Sequence, residues 1–252
     1  MKLVVDQTHL GTPEEAWRHS HRLALLPPIQ LGRPAKVIVV APHPDDEILG
    51  TGGLLQSVIA SGIPIEFLAV TDGEGSHPQA APPLVESLRT IRHSESSIAL
   101  RRLGLSVPSI ARLGLADGRV ADVEDEVRHA VEAIAGPEDL VLAPWWLDGH
   151  PDHDACGRAA AAAALHVGAR SLHYLVWAWH WADPERDDLP WARCRRFDFG
   201  RPSAHRKSWS IEAFDSQIRS WGPAPDELPV LPPAVLVRFH RTFEVFVEVG
   251  MP

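Results

Sequence analysis

The sequence predicts an α/β fold, in which helices cover a mostly parallel sheet and a C-terminal elaboration follows. Short runs rich in Val, Ile and Leu, typical of strands buried on both faces, alternate with helical patterns of ten or more residues. Segments rich in Gly and Pro, such as TDGEGSHP, break the pattern between elements. This alternation indicates βαβ units around a parallel sheet. The 252 residues, 45% of them hydrophobic, are enough for one large core.

The first part of the chain is predicted to form a strand at 36–40, a helix at 48–62, a strand at 65–70 and a helix at 84–103. The cycle then repeats with a strand at 110–115, a helix at 123–135, a strand at 139–145 and an alanine-rich helix at 153–167. The next strand is predicted over 171–179, so that Trp177, Trp179 and Trp181 point to one face. Packing against a helix or the C-terminal region is the first interpretation of that face. A wall for stacking sugars is the alternative, and Trp145 and Trp146 are better placed for it.

The pattern changes after Trp181. Residues 182–205 are polar and contain prolines, and they are predicted to form a long loop or a cap. A helix is expected at 208–220, and a last strand or strand pair at 235–249. We therefore predict one domain over residues 1–252, with a core at about 36–180 and a C-terminal cap or elaboration at about 181–252.

Charge and composition exclude several classes of partner. The formal net charge is -9 and the basic residues form no stripe, so neither nucleic acid nor an anionic membrane is an expected partner. No apolar run approaches the roughly 20 residues that span a bilayer, and the first residues are too polar for a signal peptide. We therefore expect a cytoplasmic protein, and a homo-oligomer stays an open alternative. With only Cys156 and Cys194, the chain can form neither a disulfide framework nor a four-cysteine zinc site.

Two His-Pro-Asp tripeptides each follow a predicted buried strand. The segment HPDDE occupies positions 43–47, and the segment DGHPDHDACG begins at Asp148; a predicted helix follows each of them. In an open α/β sheet, ligands bind in the crevice at the carboxyl ends of the strands. Both motifs are therefore expected at the same edge of the sheet.

Imidazole and carboxylate side chains in these two loops predict a catalytic metal centre. Catalytic zinc takes three protein ligands and leaves a fourth position for water, and His43, Asp46 and His153 would supply those three. Zinc, with one ion per chain, is the favoured metal, although Fe(II) accepts the same ligands. Taken singly, an Asp at a helix start is usually an N-cap and a lone His is usually structural. The two motifs together favour the metal interpretation.

The metal assignment leaves Asp45 and His150 beside the metal without being bound to it. A carboxylate in that place can accept a proton from water, and a cationic imidazole can stabilise an oxyanion as it forms. Asp152 is predicted either to fix the tautomer of one imidazole or to cap the helix that begins near His153. Glu47 is predicted either to hydrogen-bond a ligand histidine or to cap the helix after it. The chemistry in outline is metal-assisted hydrolysis of a carbonyl compound.

The segments PHPDDE and GHPDH together resemble the signatures of the PIG-L and LmbE-like N-acetylglucosaminyl deacetylases, zinc enzymes that remove acyl groups from amino sugars. The resemblance covers about residues 37–174 and implies a doubly wound, Rossmann-like sheet. It implies the same three metal ligands, the same general base and the same histidine at the tetrahedral intermediate. It also implies sugar contacts for Arg92, in the RHSE segment, and for Asp117, in LGLADG. Lys207 and Gln217 match a C-terminal pattern of a lysine followed by serine-glutamine weakly.

The sequence therefore predicts a metal-dependent hydrolase that removes an acyl group, expected to be acetyl, from the nitrogen of a small N-acyl amino sugar or glycoconjugate. An amidase that cleaves a larger acyl group, as in mycothiol-type conjugates, is the nearest alternative. A metal-binding module without turnover is the alternative from another class, and Asp45 argues against it because binding alone needs no base. Phosphoester hydrolysis is disfavoured, since two-metal phosphoesterases need more ligands and neither loop contains Lys or Arg to hold phosphate.

Overall fold

One mixed sheet runs through the molecule. The structure, a computed structural model, describes residues 11–77, 82–106, 108–220 and 229–249. In this part of the chain the strands are β1 (Val37–Ala41), β2 (Ile65–Thr71), β3 (Ser109–Leu115), β4 (Leu140–Pro144), β5 (Arg170–Tyr174), β6 (Cys194–Asp198) and β7 (Phe243–Val249). They form a seven-stranded sheet in the order β3-β2-β1-β4-β5-β7-β6. The first five strands pair in parallel, and β7 is antiparallel to both of its neighbours.

Helices cover both faces of this sheet. They are α1 (Glu14–His19), α2 (His21–Ala24), α3 (Asp46–Ala60), α4 (Pro82–Leu103), α5 (Glu124–Ile134), α6 (Pro151–Val167), α7 (Ala178–Trp181), α8 (Arg201–Ile211), α9 (Asp215–Ile218) and α10 (Pro233–Leu236). Alternate residues of the fully buried strand β1 enter two separate cores. Val37 and Val39 pack in the core that contains residues of α3 and α4. Ile38 and Val40 pack in the core that contains residues of α5 and α6. The predicted α/β class, a doubly wound and mostly parallel sheet, is confirmed.

Helix α3 approaches the sheet closely because it contains small residues. A Cβ atom at Gly50 would overlap the ring of Tyr174 in β5, whose hydroxyl donates to the Val40 carbonyl at 2.8 Å. Only glycine is therefore accommodated at position 50. The close approach fixes the start of α3 relative to the ends of the central strands.

A buried ion pair from the C-terminal region contacts the interior of α3. Glu244 of β7 accepts hydrogen bonds from the backbone N–H groups of Gly53 and Leu54, at 2.6 and 2.9 Å. Lys207 of α8 donates to the Leu49 carbonyl at 2.8 Å and to Glu244 Oε1 at 2.7 Å. In a regular α-helix the Gly53 N–H group would donate to that same Leu49 carbonyl. The ion pair thus binds both the Gly53 N–H group and the Leu49 carbonyl, which are the donor and the acceptor of one main-chain hydrogen bond in a regular helix.

The structure corrects the sequence prediction after residue 174. The strand predicted over 171–179 ends at Tyr174, and Trp177, Trp179 and Trp181 lie at a turn and in the short helix α7 rather than along a strand. The chain turns there because the Asp148 carboxylate accepts the N–H groups of residues 176, 177 and 178, at 3.0, 2.9 and 2.9 Å.

The C-terminal region also differs from its prediction. The loop predicted over 182–205 contains the strand β6, and the helix predicted over 208–220 is replaced by α8 and α9. Because β6 and β7 extend the sheet of the core, this region joins the core through main-chain hydrogen bonds. Within the described residues, no helix has both the length and the apolar character needed to cross a bilayer.

Candidate active site

The two motif loops open into one crevice of the sheet. Strand β1 lies between β2 and β4. After β1 the chain adds β2 and β3 on one side of it, and then crosses to add β4 and β5 on the other side. This is the point where strand order reverses, and ligands bind there in doubly wound folds. The loop after β1 carries His43 and Asp45 and leads into α3, which begins at Asp46. The loop after β4 carries Asp148 and His150 and leads into the first turn of α6, which contains His153. The expectation that both motifs lie at one edge is met.

Three ligand-type atoms form a nearly equilateral triangle in this crevice. Asp46 Oδ2 lies 3.3 Å from His43 Nδ1 and 3.2 Å from His153 Nε2, and the two imidazole nitrogens are 3.3 Å apart. Zinc bonded at about 2.0–2.1 Å in a tetrahedron separates its ligand atoms by about 3.3–3.5 Å. The spacing and the N/N/O donor set therefore suit one tetrahedral ion.

Two further groups of side chains, which share His43, also bring their ligand atoms within 4.8 Å of one another. The first group is His43, His150 and His153, and the second is His43, Asp117 and Asp152. A metal ion can thus bind in this histidine and aspartate cluster. His43 Nε2 lies 3.2 Å from Asp117 Oδ1 and 3.3 Å from Asp152 Oδ2, which makes a ring N–H directed at these carboxylates the simplest arrangement. That arrangement leaves Nδ1 as the ring nitrogen available to a metal.

The Asp152 carboxylate is one of the two outer partners of the imidazoles. Besides contacting His43, it accepts the backbone N–H groups of Gly118 at 2.7 Å and Val120 at 3.2 Å. The N-cap of α6 is the side chain of His150, not Asp152. Of the two predicted roles for Asp152, the contact with an imidazole is the one that the structure contains.

Asp148 is the second outer partner, and sequence reasoning gave it no role. Its Oδ2 lies 2.8 Å from His153 Nδ1, and both residues are fully buried. Because the Asp148 carboxylate accepts three backbone N–H groups, it is placed as an acceptor for His153 as well. In the neutral ring this contact puts the His153 proton on Nδ1 and the lone pair on Nε2. The sequence shows only an acidic residue in the loop after a predicted strand, and that pattern does not indicate which side chain it contacts.

The charges of the cluster favour a bound cation. Burial alone would lower the pKa of His153, but Asp46 and Asp148 more than offset it and raise that pKa to about 10. Against the same effect of burial, Asp117, Asp152 and Asp46 raise the pKa of His43 well above its usual value. Burial would raise the pKa of Asp46, yet His153 and His43 hold it well below its usual value. Without a metal, protons on these imidazoles balance the negative charge of the neighbouring carboxylates. A divalent cation bound to the same imidazole nitrogens would balance that charge in their place.

Asp45 lies beside the cluster with a different set of neighbours. Arg92 Nη2 donates to Asp45 Oδ2 at 3.0 Å. Burial raises the pKa of Asp45 to about 7, with Arg92 opposing the shift. Glu47 accepts the backbone N–H of Asp45 at 2.9 Å and the hydroxyl of Ser96 at 2.5 Å. Of the two roles predicted for Glu47, the described contacts correspond to capping of α3 and not to a bond with a ligand histidine.

His150 is a neutral donor rather than the cation that the sequence suggested. Burial, together with His43 and His153, lowers the pKa of His150 to about 3. Its Nδ1 accepts the Asp152 backbone N–H at 3.3 Å, so the ring proton resides on Nε2. A neutral imidazole with N–H at Nε2 can still donate a hydrogen bond to an oxyanion.

The two predicted sugar contacts, Arg92 and Asp117, both line the crevice, but their hydrogen bonds run largely to the protein. Besides Asp45, Arg92 donates to the Gly73 carbonyl at 2.8 Å and to the Pro44 carbonyl at 3.1 Å, and its residue is only 2% exposed. Gly73 has φ 68, and a Cβ atom there would overlap the guanidinium group. Asp117 contacts His43 through Oδ1 and accepts the Gly75 N–H through Oδ2 at 2.9 Å. A sugar contact by either residue stays a prediction.

The crevice encloses a cavity of about 240 Å³. The three triangle residues line it, as do Asp45, His150, Ser76, Gln217 and Trp177. Among the described residues, neither Trp145 nor Trp146 lines it. Trp145 stacks on Trp181, and Trp146 lies edge-on to His173, so the proposed sugar wall from these two residues is wrong. A larger cavity of about 400 Å³ lies between α1 and β7 and contains none of the clustered ligand-type residues.

Comparison with known proteins agrees with this geometry. The family model described as PIG-L, GlcNAc-PI de-N-acetylase, matches residues 38–164, which is half of the 252-residue chain. The chain belongs to the PIG-L family. The matched segment runs from β1 into the last turn of α6 and contains every residue of the triangle, together with Asp45 and His150.

Curated members of the PIG-L family are similar over about half of the chain. A probable N-acetyl-alpha-D-glucosaminyl L-malate deacetylase 2 from Bacillus anthracis is 30% identical over 137 residues, which are 52% of this chain and 60% of that protein. A diacetylchitobiose deacetylase from Thermococcus kodakarensis is 31% identical over 145 residues, 53% of this chain and 50% of that protein. The chain thus spans 50 to 60% of the length of these two relatives.

A solved structure in the PIG-L family shares the fold. The N,N'-diacetylchitobiose deacetylase from Pyrococcus horikoshii superposes with a TM-score of 0.58 at 21% identity, over 82% of this chain and 80% of that one. The shared region is longer than the matched sequence segment, which shows that the fold similarity extends into the C-terminal part of the chain.

Proposed function

We propose that the chain is a zinc-dependent hydrolase that removes an acetyl group from the nitrogen of an N-acetyl amino sugar or glycoconjugate. The observation that carries the proposal is the carboxylate of Asp45 beside the triangle of His43, Asp46 and His153 in one small cavity. Membership of the PIG-L family supports the reaction class. A cytoplasmic location stays a prediction.

The triangle residues would hold the metal, and its donor set favours zinc while Fe(II) would also be accepted. Zinc bound there would supply a Lewis acid that polarises the acyl carbonyl and lowers the pKa of a water molecule. Asp148 and Asp152 keep the two imidazoles in the tautomers and orientations that such binding needs.

Asp45 acts as the general base in this proposal. It accepts a proton from the water that attacks the acyl carbon, and returns it to the sugar nitrogen as the carbon–nitrogen bond breaks, so that acetate and a free amine are released. Arg92 orients the Asp45 carboxylate through the 3.0 Å contact, which makes it a positioning residue. His150 donates from Nε2 to the oxygen that gains negative charge.

The cavity and the relatives support a small substrate. A volume of about 240 Å³ is below the ~300–1,000 Å³ of sites that enclose drug-sized ligands, which suits a single acylated sugar ring with its aglycone outside. The names of the relatives refer to N-acetylglucosaminyl malate and to diacetylchitobiose. An amidase for larger acyl groups and a metal-binding module without turnover remain the competing functions.

The test is release of a primary amine. The purified protein is incubated with N-acetylglucosamine, its malate and inositol glycosides, and diacetylchitobiose, before and after chelation and with zinc added back. We expect free amine from at least one of these compounds, loss of turnover with the chelator and recovery with zinc. Protein carrying Asp45→Asn, prepared identically, controls for contaminating deacetylases. Metal-loaded protein that releases amine from a peptide amide but from no N-acyl sugar would overturn the amino-sugar assignment.

A further inference from the structure

A short segment from the C-terminal part of the chain forms one wall of the cavity. Gln217, in helix α9, lines the cavity and is only 1% exposed. Metal binding and proton transfer, as proposed above, give this residue no task. Its side-chain oxygen Oε1 is buried, and it has no hydrogen-bond partner among the residues that the structure describes.

Glu95 of α4 fixes the orientation of the Gln217 amide through Ser216. Glu95 accepts the backbone N–H of Ser216 on Oε1 and the Ser216 hydroxyl proton on Oε2, each at 2.7 Å. Because a serine hydroxyl has one proton, its oxygen can then only accept from Gln217, and the Gln217 atom at 3.0 Å must be the Nε2 donor. Oε1 is therefore the end of the amide that is left without a partner.

Ser76 completes a donor and acceptor pair on this wall. Gln217 Nε2 also lies 3.3 Å from Ser76 Oγ, which makes that oxygen an acceptor and leaves the Ser76 proton to be donated. Among the described residues, no acceptor is placed for that proton. A hydroxyl group is both a donor and an acceptor, so it matches Gln217 Oε1 and the Ser76 hydroxyl together.

We propose that Gln217 Oε1 accepts a hydrogen bond from a hydroxyl group of the sugar ring, and that Glu95 is a positioning residue that keeps this oxygen available. The inference rests on the proposed deacetylase function and adds the residue that selects a hydroxylated ring. A site built to hydrogen-bond a hydroxyl group discriminates against an analogue without it, because the buried acceptor is then left unpaired.

The test combines deoxy substrates with variants of the wall. kcat/KM is measured for the best N-acetylglucosaminide and for its 3-, 4- and 6-deoxy analogues. We expect wild-type protein to lose about ten- to hundredfold on one analogue. Gln217→Met should lose a similar factor on the parent compound and show no further loss on that analogue. Glu95→Gln should reduce the same discrimination although Gln217 is present, with metal content unchanged.

Gln56→Met is the matched control, since Gln56 lies on α3 and bonds to the carbonyls of Gly52 and Ser203 instead of lining the cavity. It should keep the wild-type pattern. The inference is overturned if wild-type protein cleaves all three analogues within about threefold of the parent, a result that requires no variant to fold. It is also overturned if folded Gln217→Met discriminates as the wild type does. Absence of turnover on every N-acyl sugar would instead show that the proposed function has failed.

Discussion

Asp45 and Asp46 are adjacent carboxylates whose surroundings give them opposite properties. Asp46 Oδ2 lies between two imidazoles, which hold its pKa well below the usual value, whereas burial raises the pKa of Asp45 to about 7. Two carboxylates separated in this way commonly divide the tasks of a site between them. The structure thus suits Asp46 to binding a cation and Asp45 to transferring a proton.

This division can be tested with a matched pair of variants. Asp46→Asn should lose both metal and activity, because a ligand is removed. Asp45→Asn should keep the metal and lower kcat by ~10²–10⁴, the usual contribution of a general base. Metal content and rate are measured on the same preparations. If Asp45→Asn lost its metal as readily as Asp46→Asn, the two assignments would have to be exchanged.

Single residues of the site were predictable where the motif itself carries the chemistry. The sequence indicated the triangle, Asp45 and His150, because histidines and aspartates crowd two loops at the ends of strands. It could not indicate Asp148 as the partner of His153, nor Glu95 as the partner of Ser216. Those pairs form through tertiary contacts between isolated polar residues, for which the local pattern holds no signal.

Among the secondary-structure elements, helix α3 has backbone groups that are bonded by side chains far away in the sequence. The ion pair of Lys207 and Glu244 is buried, with side-chain exposures of 2% and 4%, and it contacts three backbone groups of the helix. Helix α3 begins at Asp46 and Asp45 is its N-cap, so the position of the helix determines where both carboxylates lie. The pair is therefore expected to affect stability in a way that an isolated ion pair does not.

Substitutions of the pair should reveal this dependence. Lys207→Met and Glu244→Leu should each lower the free energy of unfolding by about 3–5 kcal/mol, because each leaves a buried charge without its partner. The double variant should recover only part of this and stay about 1–3 kcal/mol below wild type, since the backbone groups of α3 also lose their partners. Urea unfolding of the metal-free protein measures these values.

An exposed pair provides the control. Arg158 and Glu124 lie 2.7 Å apart with side-chain exposures of 47% and 32%, and removing both should change stability by less than about 1 kcal/mol. A double variant of Lys207 and Glu244 as stable as wild type would show that α3 closes its own hydrogen bonds, and the interpretation of the pair would be wrong.

Continuous apolar runs made the two fully buried strands predictable, and the lack of such a run explains why one edge strand was missed. The strands β1 and β4 are buried at every position, and their sequences VIVVA and LVLAP were read correctly. The edge strand β6, CRRFD, is mostly half-buried and carries charges, so it has no such pattern. The tryptophan segment has a strand-like alternation, but the Asp148 carboxylate turns its backbone away from the sheet.

For the whole molecule, one buried histidine predicts loss of stability in acid. Burial lowers the pKa of His173 in β5 to about 3, and the nearby Pro144 carbonyl opposes the shift. In the unfolded chain this histidine has its ordinary pKa of about 6.5. As the pH falls, the unfolded chain therefore takes up a proton at this position at a higher pH than the folded protein does. Stability from this residue is complete above about pH 6.5 and falls by about 1.4 kcal/mol per pH unit between there and about pH 3.

The measurement is the difference in unfolding free energy between wild type and His173→Leu as a function of pH, in which the contributions of other groups cancel. Wild type should weaken relative to the variant as the pH falls below about 6. His205→Leu, at an exposed histidine of α8, is the matched control and should show a constant difference. A constant difference for His173→Leu as well would mean that the ring is protonated or solvated in the folded state.

The contact between α3 and the pair of Lys207 and Glu244 also limits how this protein can recombine with its relatives. The family match ends at residue 164, after all the metal-ligand candidates, and so suggests a convenient crossover point for chimaeras with new C-terminal regions. Such a chimaera would inherit every candidate ligand and yet place foreign side chains against Leu49, Gly53 and Leu54. Functional exchange of the C-terminal region therefore requires a donor that brings both a lysine and a glutamate to these same backbone groups.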